Sequence, residues 1–261
     1  MEVVVHSNLS ATTIKEKQPS AKKRQANPRE PLRNKENTQP ETAMNQKKWK
    51  AKGIFLDLDG TIVDSKGAYI EAAKIAFQAT GKKTPEPKVL IEIPRRIEQR
   101  LTIDDLTHGD TKEFMHVYLK AYYSVTEAKT KLFPHVSAAL EELSKKSKLA
   151  LITMRHCPNQ VIQKELDYFG IAKYFTYIVT AMDTSKPKPS PEALIRCIEA
   201  LHLEMCECII AGDSVNDVRA GKAAGARTVA VLSGLFQREE LVKEYPDLIL
   251  PDVSVLPEFI E

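Results

Sequence analysis

The most informative segment of the chain is Gly53-Ile54-Phe55-Leu56-Asp57-Leu58-Asp59-Gly60-Thr61. Its apolar first half predicts a short buried strand that ends at Gly60. Alternate side chains of a strand point to the same side, so Asp57 and Asp59 should converge at the carboxyl end of this strand. Open parallel sheets bind ligands at that end of their strands. We therefore expect a binding site that contains both carboxylates.

Two carboxylates this close repel each other, and a bound cation relieves the repulsion. Carboxylate oxygens suit a hard cation such as Mg²⁺. The alternative is purely structural, because an Asp-Gly pair such as Asp59-Gly60 can also form the turn of a β-hairpin. The pattern of the residues that follow favours the ligand site.

Length and composition are those of a soluble globular protein. The 261 residues suffice for one large domain or two small ones, and 43% of them are hydrophobic. No apolar run is long enough to span a membrane, and residues 1–6 lack the charge pattern of a signal peptide. The four cysteines form no pair of zinc-type knuckles and suit a reducing compartment. We expect a cytoplasmic protein.

The basic character of the chain belongs to its N-terminal segment. Residues 1–52 hold 12 Lys and Arg against 5 Asp and Glu, whereas the remainder holds 26 against 30. Residues 1–50 are rich in Lys, Gln, Asn, Pro and Thr, and we predict that they form a disordered basic tail. The tail could bind a partner, serve as an organelle address, or be absent if translation begins at Met44. Its acidic residues argue against the address.

A helical insertion is predicted after the first strand. Apolar spacing indicates a helix over 65–80, then a loop over 82–88 and further helices from 89 to about 128. The aromatic residues of the last helices have helical spacing and are interpreted as packing residues; they are Phe114, Tyr118, Tyr122 and Tyr123. We expect residues 65–131 to form a helical cap.

The rest of the chain alternates between strands and helices. Strands are predicted over 149–153, 177–180, 208–212 and 228–232, and helices over 136–145, 159–169, 191–201 and 216–224. Such alternation indicates a parallel sheet with helices on both faces. We predict an α/β fold in which a doubly wound, Rossmann-like parallel sheet is formed by residues 51–64 and 132–261 and carries the α-helical cap as an insertion.

Polar residues at four strand ends suit a phosphoryl group. Asp57 and Asp59 follow the first strand, Thr153 ends the second, Lys186 follows the third, and Asp213 follows the fourth. The carboxyl ends of parallel strands lie along one edge, so these residues should meet. A cation and a lysine would offset the charge of a phosphate, and a carboxylate can attack phosphorus.

In these residues the chain resembles the haloacid dehalogenase-like hydrolases, in the branch of phosphoglycolate phosphatase-like enzymes with a helical cap. The resemblance covers about residues 52–261. It rests on four motifs in order, namely residues 57–65, Thr153, Lys186-Pro187-Lys188-Pro189 and Gly212-Asp213-Ser214-Val215-Asn216-Asp217.

The resemblance implies roles for the acidic residues. Asp57 would be the nucleophile that forms an aspartyl-phosphate. Asp59 would protonate the leaving group and then activate water. The metal site for Mg²⁺ would comprise Asp57, the main-chain carbonyl of Asp59, Asp213, and Asp217 in support.

The remaining candidate residues concern the substrate. The resemblance implies that Thr153 and Lys186 bind the phosphate and that Lys186 neutralises charge around Asp57. Arg155 follows a methionine where relatives often have Asn, and it could contact a phosphate or a carboxylate. Arg95 and Arg96 replace a glycine-containing turn of the cap, and we hypothesise that one of them pairs with a second anionic group of the substrate. The alternative is a solvated cap surface.

The expected function is Mg²⁺-dependent hydrolysis of a small phosphorylated metabolite, with phosphoglycolate as the default substrate. A pyrophosphatase or a phosphosugar mutase on the same core is one alternative, and a non-catalytic binding module that uses the basic tail is another. We expect neither nucleic acid nor a membrane as a partner of the core. The sequence leaves the oligomeric state open.

Overall fold

The computed structural model describes residues 48–109 and 111–261. Over these ranges the strands are β1 Gly53–Leu56, β2 Val63–Asp64, β3 Lys131–Leu132, β4 Lys148–Ile152, β5 Phe175–Val179, β6 Cys208–Gly212, β7 Arg227–Val231 and β8 Leu248–Leu250. The α-helices are α1 Lys66–Ala79, α2 Pro87–Glu98, α3 Asp104–Thr107, α4 Thr111–Lys129, α5 Val136–Lys146, α6 Asn159–Tyr168, α7 Glu192–Leu201, α8 Val215–Ala224 and α9 Arg238–Val242. The predicted tail lies outside these ranges apart from its last three residues.

Six strands form one parallel sheet in the order β5-β4-β1-β6-β7-β8. β1 is central, and its last residue, Leu56, pairs with Leu151 of β4 and with Ala211 of β6. The carboxyl ends of these three strands therefore lie side by side. The predicted doubly wound α/β fold is confirmed.

Alternate residues of β1 pack against helices on opposite faces of the sheet. Phe55 lies in one apolar cluster with Leu194 of α7, whereas Leu56 lies in a second cluster with Leu140 of α5 and Ile162 of α6. All of these side chains are fully buried. Burying one such side chain contributes roughly 1.5–3 kcal/mol, which fixes the strand between the helical layers.

Helices α1 to α4 pack around an apolar cluster of their own. Its aromatic centre is formed by Phe77 of α1 and Phe114 of α4, whose ring centroids are 4.9 Å apart at 63°. Strands β2 and β3 pair antiparallel through Val63 and Leu132, where the chain leaves the core and returns to it. The sequence predicts the join between core and cap at these two points.

Several elements differ from the sequence prediction. β2, β3 and β8 were not predicted, because strands of two or three residues are too short to show a period. α2 begins at Pro87, inside the predicted loop, since proline is well tolerated in the first turn of a helix. The folded part begins before residue 51, because the N–H of Trp49 donates to the carbonyl of Phe259 at 2.8 Å.

Within the described residues, we find no helix that combines the length and the apolar character needed to cross a membrane.

Candidate active site

Three carboxylates meet at the carboxyl end of the central strands. Asp57 directly follows β1, Asp213 directly follows β6, and Asp217 lies in the first turn of α8. One carboxylate oxygen from each lies within 4.8 Å of the other two, and all three residues are buried. The N–H of Asp57 donates to the carbonyl of Ala211 in β6 at 3.0 Å, which fixes its position.

A buried lysine bridges two of these carboxylates, and it is Lys188. Its Nζ donates to Asp57 Oδ1 at 2.6 Å and to Asp217 Oδ1 at 2.5 Å. The prediction that Lys186 lies beside Asp57 is wrong, because Lys186 is exposed on the loop and its main-chain N–H donates to Glu192. The pattern Lys-Pro-x-Pro occurs twice in Lys186-Pro187-Lys188-Pro189-Ser190-Pro191, and it is the lysine of the second copy that enters the site.

The proton affinities of these groups follow from burial and from their neighbours. Burial lowers the pKa of Lys188, but the carboxylates of Asp217 and Asp57 outweigh this effect and raise it, so the ammonium stays charged. Burial raises the pKa of Asp57 well above its ordinary value, although the Lys188 charge opposes the shift. The pKa of Asp213 is also well above its ordinary value, through burial and through the carboxylates of Glu98 and Asp217.

The main chain passes very close to the Asp213 carboxylate at two glycines. A Cβ added at Gly234 would lie 1.6 Å from Asp213 Oδ2. One added at Gly60, where φ is +83°, would lie 2.6 Å from the same oxygen. The N–H of Leu235 donates to this oxygen at 3.0 Å. The carboxylate is therefore held in place by segments that only glycine can form without displacing it.

The carboxylate of Asp59 lies apart from the cluster of three and pairs with Arg155. Arg155 Nε donates to Asp59 Oδ2 and Nη2 donates to Oδ1, both at 2.7 Å. Ser65 and Tyr122 also donate to Oδ1, the latter at 3.2 Å. Burial alone would raise the pKa of Asp59, but the charge and hydrogen bonds of Arg155, with the bond from Ser65, lower it below its ordinary value. The metal role predicted for the Asp59 main-chain carbonyl stays a prediction.

Glu98 of the cap helix α2 reaches the same region, and the sequence did not predict it. The main-chain carbonyl of Glu98 accepts a hydrogen bond from Asn216 Nδ2 of α8 at 2.8 Å. Loss of solvent raises the pKa of its carboxyl to about 8; Ser214 opposes this by a hydrogen bond, and the charge of Asp217 adds to it. Glu98 is therefore largely protonated at neutral pH.

Thr153 lies beside the cluster, directly after β4. It is 3% exposed, and its Oγ1 accepts a hydrogen bond from the N–H of Arg155 at 3.2 Å. The carbonyl of Ile152, one residue earlier, lies 3.4 Å from the Nζ of Lys188. Thr153 is thus placed at the strand end that the sequence predicts.

Arg95 and Arg96 do not reach over the site as hypothesised. Arg95 pairs with Glu92 and with Glu240 of α9, so it ties the cap to the core. Arg96 pairs with Asp105 of α3, within the cap. Arginine binds whichever carboxylate lies nearest, and both side chains have one on a neighbouring helix or turn.

A cavity of about 170 Å³ lies between the cap and the core, with Asp59 and Arg155 in its wall. Tyr69, Tyr118 and Tyr122 line it from the cap side. The interpretation of the aromatic residues of α4 as packing residues is wrong for Tyr123, which is 39% exposed, and incomplete for Tyr122, which also donates a hydrogen bond to Asp59. Helical spacing marks the buried face of a helix but does not show that this face borders a cavity.

The cluster of three carboxylates suits a divalent cation. Asp57, Asp213 and Asp217 carry three negative charges when ionised, and Lys188 supplies one positive charge. The excess of two negative charges in a buried volume is what a divalent ion would neutralise. All the donors are oxygens, which hard cations prefer. The residues present therefore fit such an ion.

Comparisons with known proteins agree with this geometry. Residues 54–231 match the family model of haloacid dehalogenase-like hydrolases. A phosphoglycolate phosphatase of Escherichia coli (strain K12) is 29% identical over 230 residues, which cover 78% of this chain and 90% of that protein. The phosphoglycolate phosphatase of Vibrio parahaemolyticus is 29% identical over 222 residues, covering 79% and 95%.

A solved structure shows the same fold. It is a haloacid dehalogenase-like family hydrolase from Streptococcus pneumoniae, with a TM-score of 0.67 and 24% identity over 80% of this chain and 99% of that one. The family model alone spans well over half of the sequence. The chain belongs to the haloacid dehalogenase-like hydrolases.

Proposed function

We propose that the protein is a Mg²⁺-dependent phosphomonoesterase that acts through an aspartyl-phosphate. The observation that carries the proposal is the buried set of Asp57, Asp213, Asp217 and Lys188, with Asp59 close by. Membership of a hydrolase family favours an enzyme over a binding module. The name of the curated relatives makes phosphoglycolate the default candidate substrate. The four free cysteines support the cytoplasm as its compartment.

The proposed first step is attack by the Asp57 carboxylate on phosphorus, which forms the aspartyl-phosphate and breaks the bond to the leaving oxygen. Lys188 holds Asp57 by a hydrogen bond and offsets the negative charge that develops around phosphorus in this step. The Thr153 hydroxyl would contact a phosphoryl oxygen. Mg²⁺ held by Asp57, Asp213, Asp217 and the Asp59 carbonyl would supply positive charge for the phosphoryl oxygens.

In the proposed second step, water attacks phosphorus and releases Asp57. The lowered pKa of Asp59 keeps it ionised, so it can accept a proton from this water. To protonate the leaving oxygen in the first step, Asp59 must carry a proton, which requires a weaker contact with Arg155 in the substrate complex. Tyr122 of the cap donates a hydrogen bond to the Asp59 carboxylate. The position of the cap should therefore affect proton transfer by Asp59.

Phosphate release tests the proposal directly. We expect the wild type to release phosphate from a panel of phosphomonoesters in Mg²⁺ and to lose this activity in EDTA. The Asp57→Asn variant keeps the size of the side chain but removes the nucleophile, so its rate should fall to background. A preference for pyrophosphate would favour the pyrophosphatase alternative. Equal activity of wild type and variant would contradict the proposal.

A pair of lysine variants tests which lysine serves the site. Lys188→Gln removes the charge that contacts Asp57, and we expect kcat/KM to fall by about 10²–10³-fold, as on loss of one transition-state donor. It also breaks a buried ion pair, which should lower the free energy of unfolding by about 3–5 kcal/mol without Mg²⁺. Lys186→Gln is the matched control on the same loop. It should change kcat/KM by less than about twofold and the free energy of unfolding by less than about 0.5 kcal/mol. A larger loss of activity and stability in Lys186→Gln than in Lys188→Gln would show that Lys186 is the lysine that serves the site.

Thermal unfolding with and without Mg²⁺ tests the metal site. Asp213 is crowded by other carboxylates, so Asp213→Asn should be at least as stable as wild type in EDTA. In excess Mg²⁺ the order should reverse, because binding to the wild type adds about 2.7 kcal/mol at 100 times Kd and the variant lacks a ligand. The measurement is Tm at matched ionic strength, with NaCl as the control. An equal Mg²⁺-dependent rise of Tm in both proteins would contradict the assignment of Asp213.

A further inference from the structure

The cavity between cap and core has an apolar and aromatic cap wall. Tyr69 and Tyr122 stack on each other with ring centroids 5.2 Å apart and an interplanar angle of 12°. Tyr118 also lines the cavity, and Ile97 and Leu119 add apolar surface to this wall. Aromatic faces of this kind favour flat apolar groups, through offset stacking and through burial of apolar surface.

The charged residues in the wall disfavour a second anion on the substrate. Among the described residues that line the cavity, Arg155 is the one cation. Its Nε and Nη2 are bonded to Asp59 and its Nη1 to Glu165, so each guanidinium nitrogen already contacts a carboxylate. The other ionisable groups of opposite sign are the acids Asp59 and Glu98. Asp59 is already paired with Arg155, and Glu98 is largely protonated, so a carboxylate on the leaving group would find no unpaired cation to offset its loss of water.

The hydroxyl of Tyr118 is buried beside the cavity. The residue is 3% exposed, and its hydroxyl is buried without a hydrogen-bond partner among the described residues. A buried hydroxyl normally has a partner, because leaving it unpaired is unfavourable. Other members of the aromatic group are paired, since Tyr122 donates to Asp59 and Tyr123 accepts from His156. Because almost none of the Tyr118 hydroxyl oxygen is accessible, the ring of Tyr118 rather than its hydroxyl forms part of the cavity wall.

We infer that the preferred substrate is a phosphate monoester of an uncharged, ring-bearing alcohol rather than of an acidic one such as glycolate. This inference rests on the proposed function, which supplies the phosphate transfer to Asp57. The ring lies against Tyr69, Tyr118 and Tyr122, and the ester oxygen faces Asp59. The cavity of about 170 Å³ admits a single small ring.

Three esters of primary alcohols separate the effects of ring and charge. Benzyl phosphate has an uncharged ring, ethyl phosphate has neither ring nor extra charge, and phosphoglycolate has a carboxylate. All three have alkyl leaving groups, so differences in kcat/KM report binding in the cavity. We expect benzyl phosphate to exceed ethyl phosphate at least about tenfold, and ethyl phosphate to exceed phosphoglycolate by a similar factor, from burial and charge respectively.

A charge-introducing variant tests the location. Leu119 lines the cavity and is 44% exposed, so Leu119→Arg adds a cation there without disturbing a packed core. We expect it to raise kcat/KM for phosphoglycolate relative to ethyl phosphate. Val242→Arg is the matched control, because Val242 is 45% exposed and is not among the residues that line the cavity. This control should leave the ratio unchanged.

Each outcome decides a different point. Phosphoglycolate equal to or above ethyl phosphate, or benzyl phosphate no better than ethyl phosphate, would overturn the inference and leave the phosphatase intact. Hydrolysis of 4-nitrophenyl phosphate alone above the Asp57→Asn background would also overturn the inference about the substrate and leave the proposed phosphatase activity intact. Hydrolysis of none of the four compounds would overturn the proposed function and the inference with it. An equal change of the ratio in both arginine variants would overturn the assignment to this cavity.

Discussion

The arrangement of the site depends on one constraint, the repulsion between carboxylates brought together at the carboxyl end of β1 and β6. Asp57, Asp213 and Asp217 are each buried and cannot be stabilised by water. Lys188 offsets part of their charge from within the protein. The remaining negative charge would favour a divalent cation, and that cation would in turn favour a phosphate.

The main chain maintains this unfavourable arrangement. The parallel register of β1 with β4 and β6 brings three strand ends together, and apolar side chains on both faces stabilise that register. Gly234 and Gly60 let the chain pass close to the Asp213 carboxylate. The free energy gained in the core thus compensates the electrostatic cost at the site, as is common for functional centres.

Asp59 connects this chemistry to the cap. It accepts hydrogen bonds from Arg155 of the core and from Tyr122 of the cap. A substrate that fills the cavity would contact both, so it could change the surroundings of the carboxylate that we propose as the acid and base. Glu98 adds a second link, because its carbonyl is bonded to Asn216 of α8. In the proposed mechanism, substrate recognition and proton transfer would therefore depend on one hydrogen-bond network rather than on separate sites.

Most of the fold and several residues of the candidate site could be predicted from the sequence, for physical reasons. The strand before Asp57 and the alternation of strands and helices are visible in the spacing of apolar residues, and this spacing depends only on residues that are close in sequence. The choice between Lys186 and Lys188 is not local, because both fit the same pattern and only packing against Asp57 distinguishes them. The pairing of Arg95 with Glu240 is equally hard to predict, since Glu240 lies 145 residues away in sequence. The short strand β8 shows no period at all.

The central claim is that Asp57 becomes phosphorylated, and it can be measured at that residue. 4-Nitrophenyl phosphate needs little protonation of its leaving group, so its first step should proceed even in Asp59→Asn, whose second step is slowed. The proteins are quenched in acid after mixing with this substrate and Mg²⁺ and are reduced with borohydride, which converts an aspartyl-phosphate to homoserine. The account predicts homoserine at position 57 by mass spectrometry, with a burst of nitrophenolate of about one per enzyme. Sustained hydrolysis with no burst and an unmodified Asp57, or homoserine at another aspartate, would contradict it.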